Sequence, residues 1–369
     1  MKFIPKQITI YSVGLLGGSI GAALKKSGYQ GKIIGLSSPK GVKTALEIGC
    51  IDEGYGYDSL KEVVKDTDLL ILCSPILSIM DTLDKLATCE LPEGMVITDV
   101  GSTKKLIVQK ALTTLPEHVH FIGGHPMAGS EKSGPAASDP YLFQNAIYVL
   151  TPPTGEPRTL DNDIGDFLRD NLGCRNILLA PDVHDTIAAA VSHLPHIAAS
   201  ALVLSVCDME KSVPGTMELA AGGFRDMTRV ASAPYSMWHD ILVTNKRPVT
   251  AMIDSLIETL GRFREELQSD SLRQSFEKAS ETRNQIPGGS KGFIGKLSEV
   301  MVMAQDAPGF IASLSGELAK HGINIKDIEV LKVREGEGGT IRLAFENQAI
   351  AAAAIAILNG KGFSVRERF

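Results

Sequence analysis

The stretch QITIYSVGLLGGSIGAALKKS, Gln7 to Ser27, followed by KIIGL, Lys32 to Leu36, decides the architecture of the N-terminal half. Residues 7–13 are a short β-rich run, Gly14–Gly21 a glycine-rich turn that becomes a helical pattern to about Ser27, and 32–36 a second strand. A tight glycine turn between strand and helix lets a backbone approach a pyrophosphate. It also aims the first helical N–H groups and the positive end of the helix dipole at that group. Spaced glycines alone are weak evidence, and a plain β–α turn with packing glycines is the structural alternative. The strand–turn–helix–strand context favours a dinucleotide site in which Gly14, Leu15, Leu16 and Gly17 present their backbone. Ser12 stands where the first spaced glycine would be, and a serine is expected to make this turn without a strongly positive φ.

The end of the second strand bears on the choice of cofactor. A carboxylate there would accept hydrogen bonds from the adenosine ribose, but the sequence reads Leu36-Ser37-Ser38-Pro39-Lys40. Ser37, Ser38, Lys40 and Lys43 suit a 2′-phosphate that a carboxylate would repel, which favours NADP over NAD. Ser74, just past the strand DLLILC (68–73), joins the cofactor-binding set. Further apolar runs at 95–99, 120–123, 146–150 and 175–180, with helical stretches between most of them, predict an α/β Rossmann-like doubly wound parallel sheet over residues 1–180.

From 181 to 285 the pattern becomes all-α, with helices expected at 182–210, 215–222, 234–243 and 246–279. Ile187–Val206 is long and apolar but carries Ser192, His193, Pro195 and His196, so it reads as a buried soluble helix and not as a membrane span. Residues 286–295, rich in glycine, form a linker. Residues 296–369 read βαββαβ, a ferredoxin-like pattern.

Formal net charge is −6, with 37 Lys+Arg against 43 Asp+Glu and no long basic run, which argues against nucleic acid or an anionic membrane as partner. Five scattered cysteines, with no C-x-x-C pair, fit free thiols in a reducing cytoplasm better than a disulfide framework or a zinc site. No N-terminal leader pattern is evident, so a cytoplasmic location is expected.

Three segments hold more reactive polar groups than structure needs: TDVGSTK (98–104), GGHPMAGSEKSGP (123–135), and SHLPH (192–196) with AAGGFRDMTRVASAPYSMWHDI (220–241). The first two follow strands, where ligands collect in a doubly wound sheet. In this order, with the glycine turn, they resemble the prephenate dehydrogenase family, including its arogenate-using members, over about residues 7–285. HPMAGSEKSG is the most specific block. The resemblance implies oxidative decarboxylation of prephenate, or of arogenate, with transfer of the ring C4 hydrogen to NAD or NADP.

It also implies roles. His125 accepts the proton of the C4 hydroxyl, for which a neutral imidazole near its ordinary pKa of ~6.5 is suited. Ser102 bonds the same hydroxyl or orients that imidazole, and His196 is the second active-site histidine. Arg229 binds the ring carboxylate, since a guanidinium matches a planar carboxylate. Asp226 holds Arg229, Ser130 and Glu131 gate or shape the pocket, and Trp238 forms its wall. His193 reads as structural, His118, His120, His184, His239 and His321 as surface or structural, Asp99 as a turn residue, and Lys104 and Lys105 as solvated helix residues.

The family also implies an interlocked homodimer through the helical region. Segment 306–330 resembles the first helix and following strand of an ACT domain, in which L-tyrosine is the natural effector, with extra dimer contact as the alternative. A non-catalytic, ligand-sensing regulator is one rival reading, and the intact set His125, Ser102, His196 and Arg229 argues against it. A general 2-hydroxy-acid or 6-phosphogluconate-type dehydrogenase is another, and it gives no account of HPMAGSEKSG.

Overall fold

A computed structural model of the chain describes residues 3–129, 132–267, 271–285, 297–304, 307–334 and 338–367. The chain divides into two compact units, residues 1–269 and 270–369. In the first unit the order is β1 (Gln7–Tyr11), α1 (Leu15–Ser27), β2 (Lys32–Leu36), α2 (Pro39–Glu47), β3 (Glu53–Tyr55), a single turn α3 (Leu60–Val63), β4 (Leu69–Leu72), α4 (Ile76–Leu86), β5 (Val96–Asp99), α5 (Lys105–Thr114), β6 (His120–Pro126), β7 (Ile147–Thr151), α6 (Thr159–Leu172) and β8 (Arg175–Leu178). The strands form one sheet in the order β3-β2-β1-β4-β5-β6-β7-β8. Successive side chains alternate between its faces: Ile8, Ile10, Leu69 and Ile71 pack on one side, Ile34, Leu36, Leu70 and Leu72 on the other. Helices cover both faces, which is why these strands read as continuous apolar runs.

The sheet departs from the expected all-parallel form at one edge. Strands β1 to β6 are parallel, but β7 pairs antiparallel with β6, and β8 follows β7 in parallel. A parallel return usually needs a helical crossover. The described part of the β6–β7 connection contains only the 3-10 turn Pro135–Ala137. The three-residue edge strand β3 was too short to signal itself in the sequence.

Beyond the sheet lie α7 (Pro181–Ala188), a π turn at Ala189–His193 and α8 (Leu194–Ser212). Pro195 lacks an N–H and its ring crowds the carbonyl four residues back, and the widened turn just before it accommodates that conflict. Then come α9 (Gly222–Thr228), α10 (Tyr235–Thr244) and α11 (Lys246–Glu266). The helix expected at 215–222 is only a 3-10 turn, Met217–Leu219. The Glu210 carboxylate accepts the N–H groups of Gly215 (3.0 Å) and Met217 (2.8 Å), and Gly215 has φ +93°, so the chain turns sharply there. Residues 187–206 are not the buried helix their composition suggested. Pro181–Ser212 is long and apolar enough to cross a membrane, yet only 22% of its most apolar window is buried within one chain.

The second unit holds α12 (Ser271–Gln285) and β9 (Ser298–Ala304), α13 (Phe310–Lys320), β10 (Asp327–Arg334), β11 (Gly338–Phe345), α14 (Gln348–Gly360) and β12 (Val365–Glu367). Its antiparallel sheet, β10-β11-β9-β12, has the ferredoxin-like order. Val300, Val302, Ile341, Leu343 and Phe345 pack beneath Leu314, Leu318, Ala351, Ala354 and Leu358. Gly309 (φ +84°) and Gly322 (φ +69°) bracket α13, as the sequence predicts for its start and stop.

Candidate active site

At the glycine turn, Gly14 is the N-cap of α1, and no side chain caps that helix. A Cβ on Gly14 would meet nothing within 4 Å, whereas one on Gly17 would stand 2.7 Å from the Ser12 carbonyl oxygen and 2.9 Å from Ile10 Cγ2. Gly14 leaves open space above the turn, and Gly17 lets α1 approach β1. Ser12 corrects the sequence expectation, because its φ is +72°. It takes the left-handed conformation of the glycine it replaces, at a cost of roughly 1–3 kcal/mol. The surroundings enforce it: Ser12 N–H donates to the Leu36 carbonyl (2.8 Å), its carbonyl accepts the Gly14 N–H (2.9 Å), and Tyr57 donates to its hydroxyl (3.4 Å).

Ser37 is buried at the end of β2. The Ser38 hydroxyl caps α2 by accepting the Gly41 N–H (3.2 Å), and Lys40 is exposed beside it. Ser74 is buried with its hydroxyl unpaired. An uncapped helix start, clear space above Gly14 and an orphaned hydroxyl at the neighbouring strand end fit a dinucleotide.

Two strands away, Asp99 and Lys104 are both fully buried and ion-paired. The Asp99 carboxylate also accepts the N–H of Gly101 (2.8 Å) and of Gly124 (3.1 Å), and the Lys104 ammonium donates to the Gly124 carbonyl (2.7 Å). Lys104 is therefore not the solvated helix residue expected. Burial pushes its ammonium below the usual range, with Asp99 opposing. The pair clamps the end of β6 just before His125.

His125 is half-buried, and its Nδ1 lies 2.8 Å from Nε2 of His184, whose Nδ1 lies 2.9 Å from the Asp185 carboxylate. Burial pushes the His125 imidazole well below 6.5, with His184, Lys104 and His193 adding to the effect, so it does not sit at its ordinary value as expected. Ser102 is half-buried on the β5–α5 turn, and no hydrogen bond joins it to His125. His184 takes the orienting contact that the sequence reading allotted to Ser102.

The helical segments dock on this end of the sheet through Thr244 on Thr103 (2.8 Å) and Asp240 on the Leu77 N–H (3.2 Å). Buried His193 sits 3.2 Å from the Asn245 side-chain amide, which also donates to the Asp185 carbonyl (2.8 Å). Burial lowers His193 to about 4. His196 packs on Trp238, with ring centroids 3.9 Å apart, and Arg229 adds to burial in holding its imidazole below the usual range. The Trp238 indole N–H is buried without a partner. Contacts connect these groups in a row: His125 to His184, His184 to Asp185, Asn245 to both Asp185 and His193, and Trp238 against both His193 and His196.

Asp226 is less informative. It and Arg229 are both exposed, and no ion pair joins them, so Asp226 does not hold Arg229 here. Ser130 and Glu131 lie outside the described residues. The contact sequence reasoning missed is His184–Asp185. Its signal was a His-Asp pair at the start of a helix, PDVHDT, with nothing local to connect it to residue 125.

Residues 20–178 match the family description "Prephenate dehydrogenase, nucleotide-binding domain", 180–279 "Prephenate dehydrogenase, dimerization domain", and 298–360 "ACT domain". The chain belongs to the prephenate dehydrogenase family. A prephenate dehydrogenase of Bacillus subtilis is 35% identical over 351 residues, 94% of each chain. A crystal structure of prephenate dehydrogenase from A. aeolicus, in complex with hydroxyphenyl propionate and NAD+, superposes with a TM-score of 0.69 at 30% identity, covering 76% of this chain and 98% of that one. A Synechocystis arogenate dehydrogenase gives 0.66 at 28% identity, covering 76% and 99%. Membership in the prephenate dehydrogenase family accounts for the domain order, and it makes the histidine row the natural place to look for chemistry.

Proposed function

We propose that this chain converts prephenate to 4-hydroxyphenylpyruvate and CO2, in tyrosine biosynthesis. The observation that carries the reading is His125: an imidazole at the end of β6 that His184 holds through Nδ1 and that burial keeps from protonating. A bound nicotinamide supplies the two-electron acceptor for the ring hydrogen. His125 Nε2 accepts the proton of the C4 hydroxyl, which places the developing carbonyl where loss of the ring carboxylate restores aromaticity. Ser102 donates to or accepts from the same hydroxyl. Arg229 holds the ring carboxylate, His196 and Trp238 wall the pocket, and Ser130 and Glu131 gate or shape it.

Leu15, Leu16 and Gly17 would hold the pyrophosphate through backbone N–H groups, Gly14, whose own N–H is given to the Ser12 carbonyl, would leave room for its approach, and Ser74 lies at the neighbouring strand end. With no carboxylate after β2, and Ser37, Ser38 and Lys40 there instead, NADP binds at least as tightly as NAD. Arogenate is the second substrate reading, favoured by the structural likeness to an arogenate dehydrogenase. The exposed apolar surface of α7 and α8 supports a homodimer. A monomeric mass by light scattering at micromolar concentration would exclude it. The ACT unit supports L-tyrosine as effector.

One steady-state matrix tests the rest: prephenate and arogenate, each with NAD and NADP, with and without tyrosine. Turnover with prephenate and a kcat/KM for NADP equal to or above that for NAD are expected. No oxidation of either substrate removes the function, a strong NAD preference removes the cofactor reading, and indifference to tyrosine removes the effector.

A further inference from the structure

We infer that His184, anchored by Asp185, is a positioning residue that sets the tautomer of His125, leaving Nε2 as the one ring atom of His125 with a lone pair to offer. The inference rests on the reading of His125 as proton acceptor, and it follows from the direction of a chain of hydrogen bonds. Asp185 sits at the start of α5, where Oδ1 accepts the Lys104 N–H (2.7 Å) and Oδ2 the Lys105 N–H (2.9 Å). Both oxygens serve a positive helix end, so the group is an ionised carboxylate and can only accept.

His184 Nδ1, 2.9 Å from Asp185 Oδ1, must then be the donor. Taken as the neutral ring, His184 has an acceptor at its other nitrogen, so Nε2 carries a lone pair. Its partner at 2.8 Å is His125 Nδ1, which must therefore carry the proton. The opposite tautomer of His125 would set two lone pairs against each other in a site where His184 is 3% and Asp185 2% exposed, with little water to relieve them.

The arrangement also prepares the catalytic step. When the hydroxyl O–H bond breaks, its electron pair stays on oxygen and a new N–H bond forms at His125 Nε2. The resulting imidazolium already donates through Nδ1 to His184, whose far side rests on the Asp185 carboxylate. The positive charge is thereby shared along the pair and opposed by an anion. Other charged or titratable groups near this pair are Lys104 with its partner Asp99 on the β5–α5 side, His193 on the π turn, and His196 with Arg229 further along. Lys104 opposes the charge on His125, which leaves Asp185 as the compensating anion on the His184 side.

The test uses the full-length enzyme labelled with 15N-histidine. Nitrogen chemical shifts assign the His125 tautomer, the signal being identified by its loss in His125→Asn. The wild type should show Nδ1 protonated and Nε2 bare. In His184→Phe, His125 should move to a tautomer mixture and kcat should fall about 10–100-fold with KM nearly unchanged. The acidic limb of the kcat/KM profile should shift as well. His184→Gln, whose carbonyl oxygen can accept from Nδ1–H, should recover part of both. A wild-type His125 protonated at Nε2 would overturn the inference without any variant. So would a His184→Phe enzyme with wild-type tautomer and kcat. If His125→Asn itself turns over normally, it is the reading of His125 that fails. If His125→Asn is dead while His184→Phe is unaffected, the positioning role alone fails.

Discussion

His125→Asn is expected to lower kcat for prephenate by about 10²- to 10⁴-fold, the range a positioned proton acceptor contributes, while KM changes little. The substitution isolates the chemistry. An asparagine amide can occupy the Nδ1 position and still donate to His184 Nε2, so the buried contact at 2.8 Å has a replacement. What disappears is the basic lone pair at Nε2. The pH dependence adds a second readout. Burial, aided by His184, Lys104 and His193, pushes His125 down, so its neutral, accepting form persists below the pH at which an ordinary imidazole is half protonated. In the wild type kcat/KM should therefore stay level through pH 6.5 as the medium is acidified and fall only below it. Stopped or continuous absorbance assays of the reduced nicotinamide across pH 5–8 measure both. A wild-type rate that halves at pH 6.5, or an asparagine variant within a few-fold of wild type, would refute the assignment.

Arg229→Ala is expected to act on binding instead. Charge-assisted hydrogen bonds of the kind a guanidinium makes to a carboxylate contribute about 1.5–3 kcal/mol, so KM for prephenate should rise about 10- to 100-fold with kcat much less affected. Arg229→Lys should recover only part, because an ammonium cannot offer the planar fork. The charge of Arg229 also holds His196 below its usual range, so the alanine variant should let His196 titrate at higher pH. An unchanged KM would place the substrate's ring carboxylate elsewhere.

Much of this protein was legible locally. Strand β1, the glycine turn and α1 are contiguous, and period-2 burial on a two-faced sheet produces the apolar runs that mark β1, β2, β4 and β5. The βαββαβ order of residues 297–367 needed only alternation and the glycines at 309 and 322. The motif residues His125, His196 and Arg229 carried their own signal in short polar segments, while the contacts running from His125 through His184, Asp185, Asn245 and His193 to Trp238 and His196 came only from the fold.

Sequence by itself determined most of the element types, though not β3 or the turn at 217–219, together with the glycine turn and the reactive side chains, because each depends on neighbours within a few residues. Only the tertiary structure decided three things. It reversed β7, since strand direction depends on where a connection travels. It buried Lys104 against Asp99, five residues away, where the sequence read as a solvated helix residue. It also set His184 against His125 across 59 residues of chain. The direction of that hydrogen bond depends on a carboxylate whose partners come from another helix, and no local pattern encodes such a meeting.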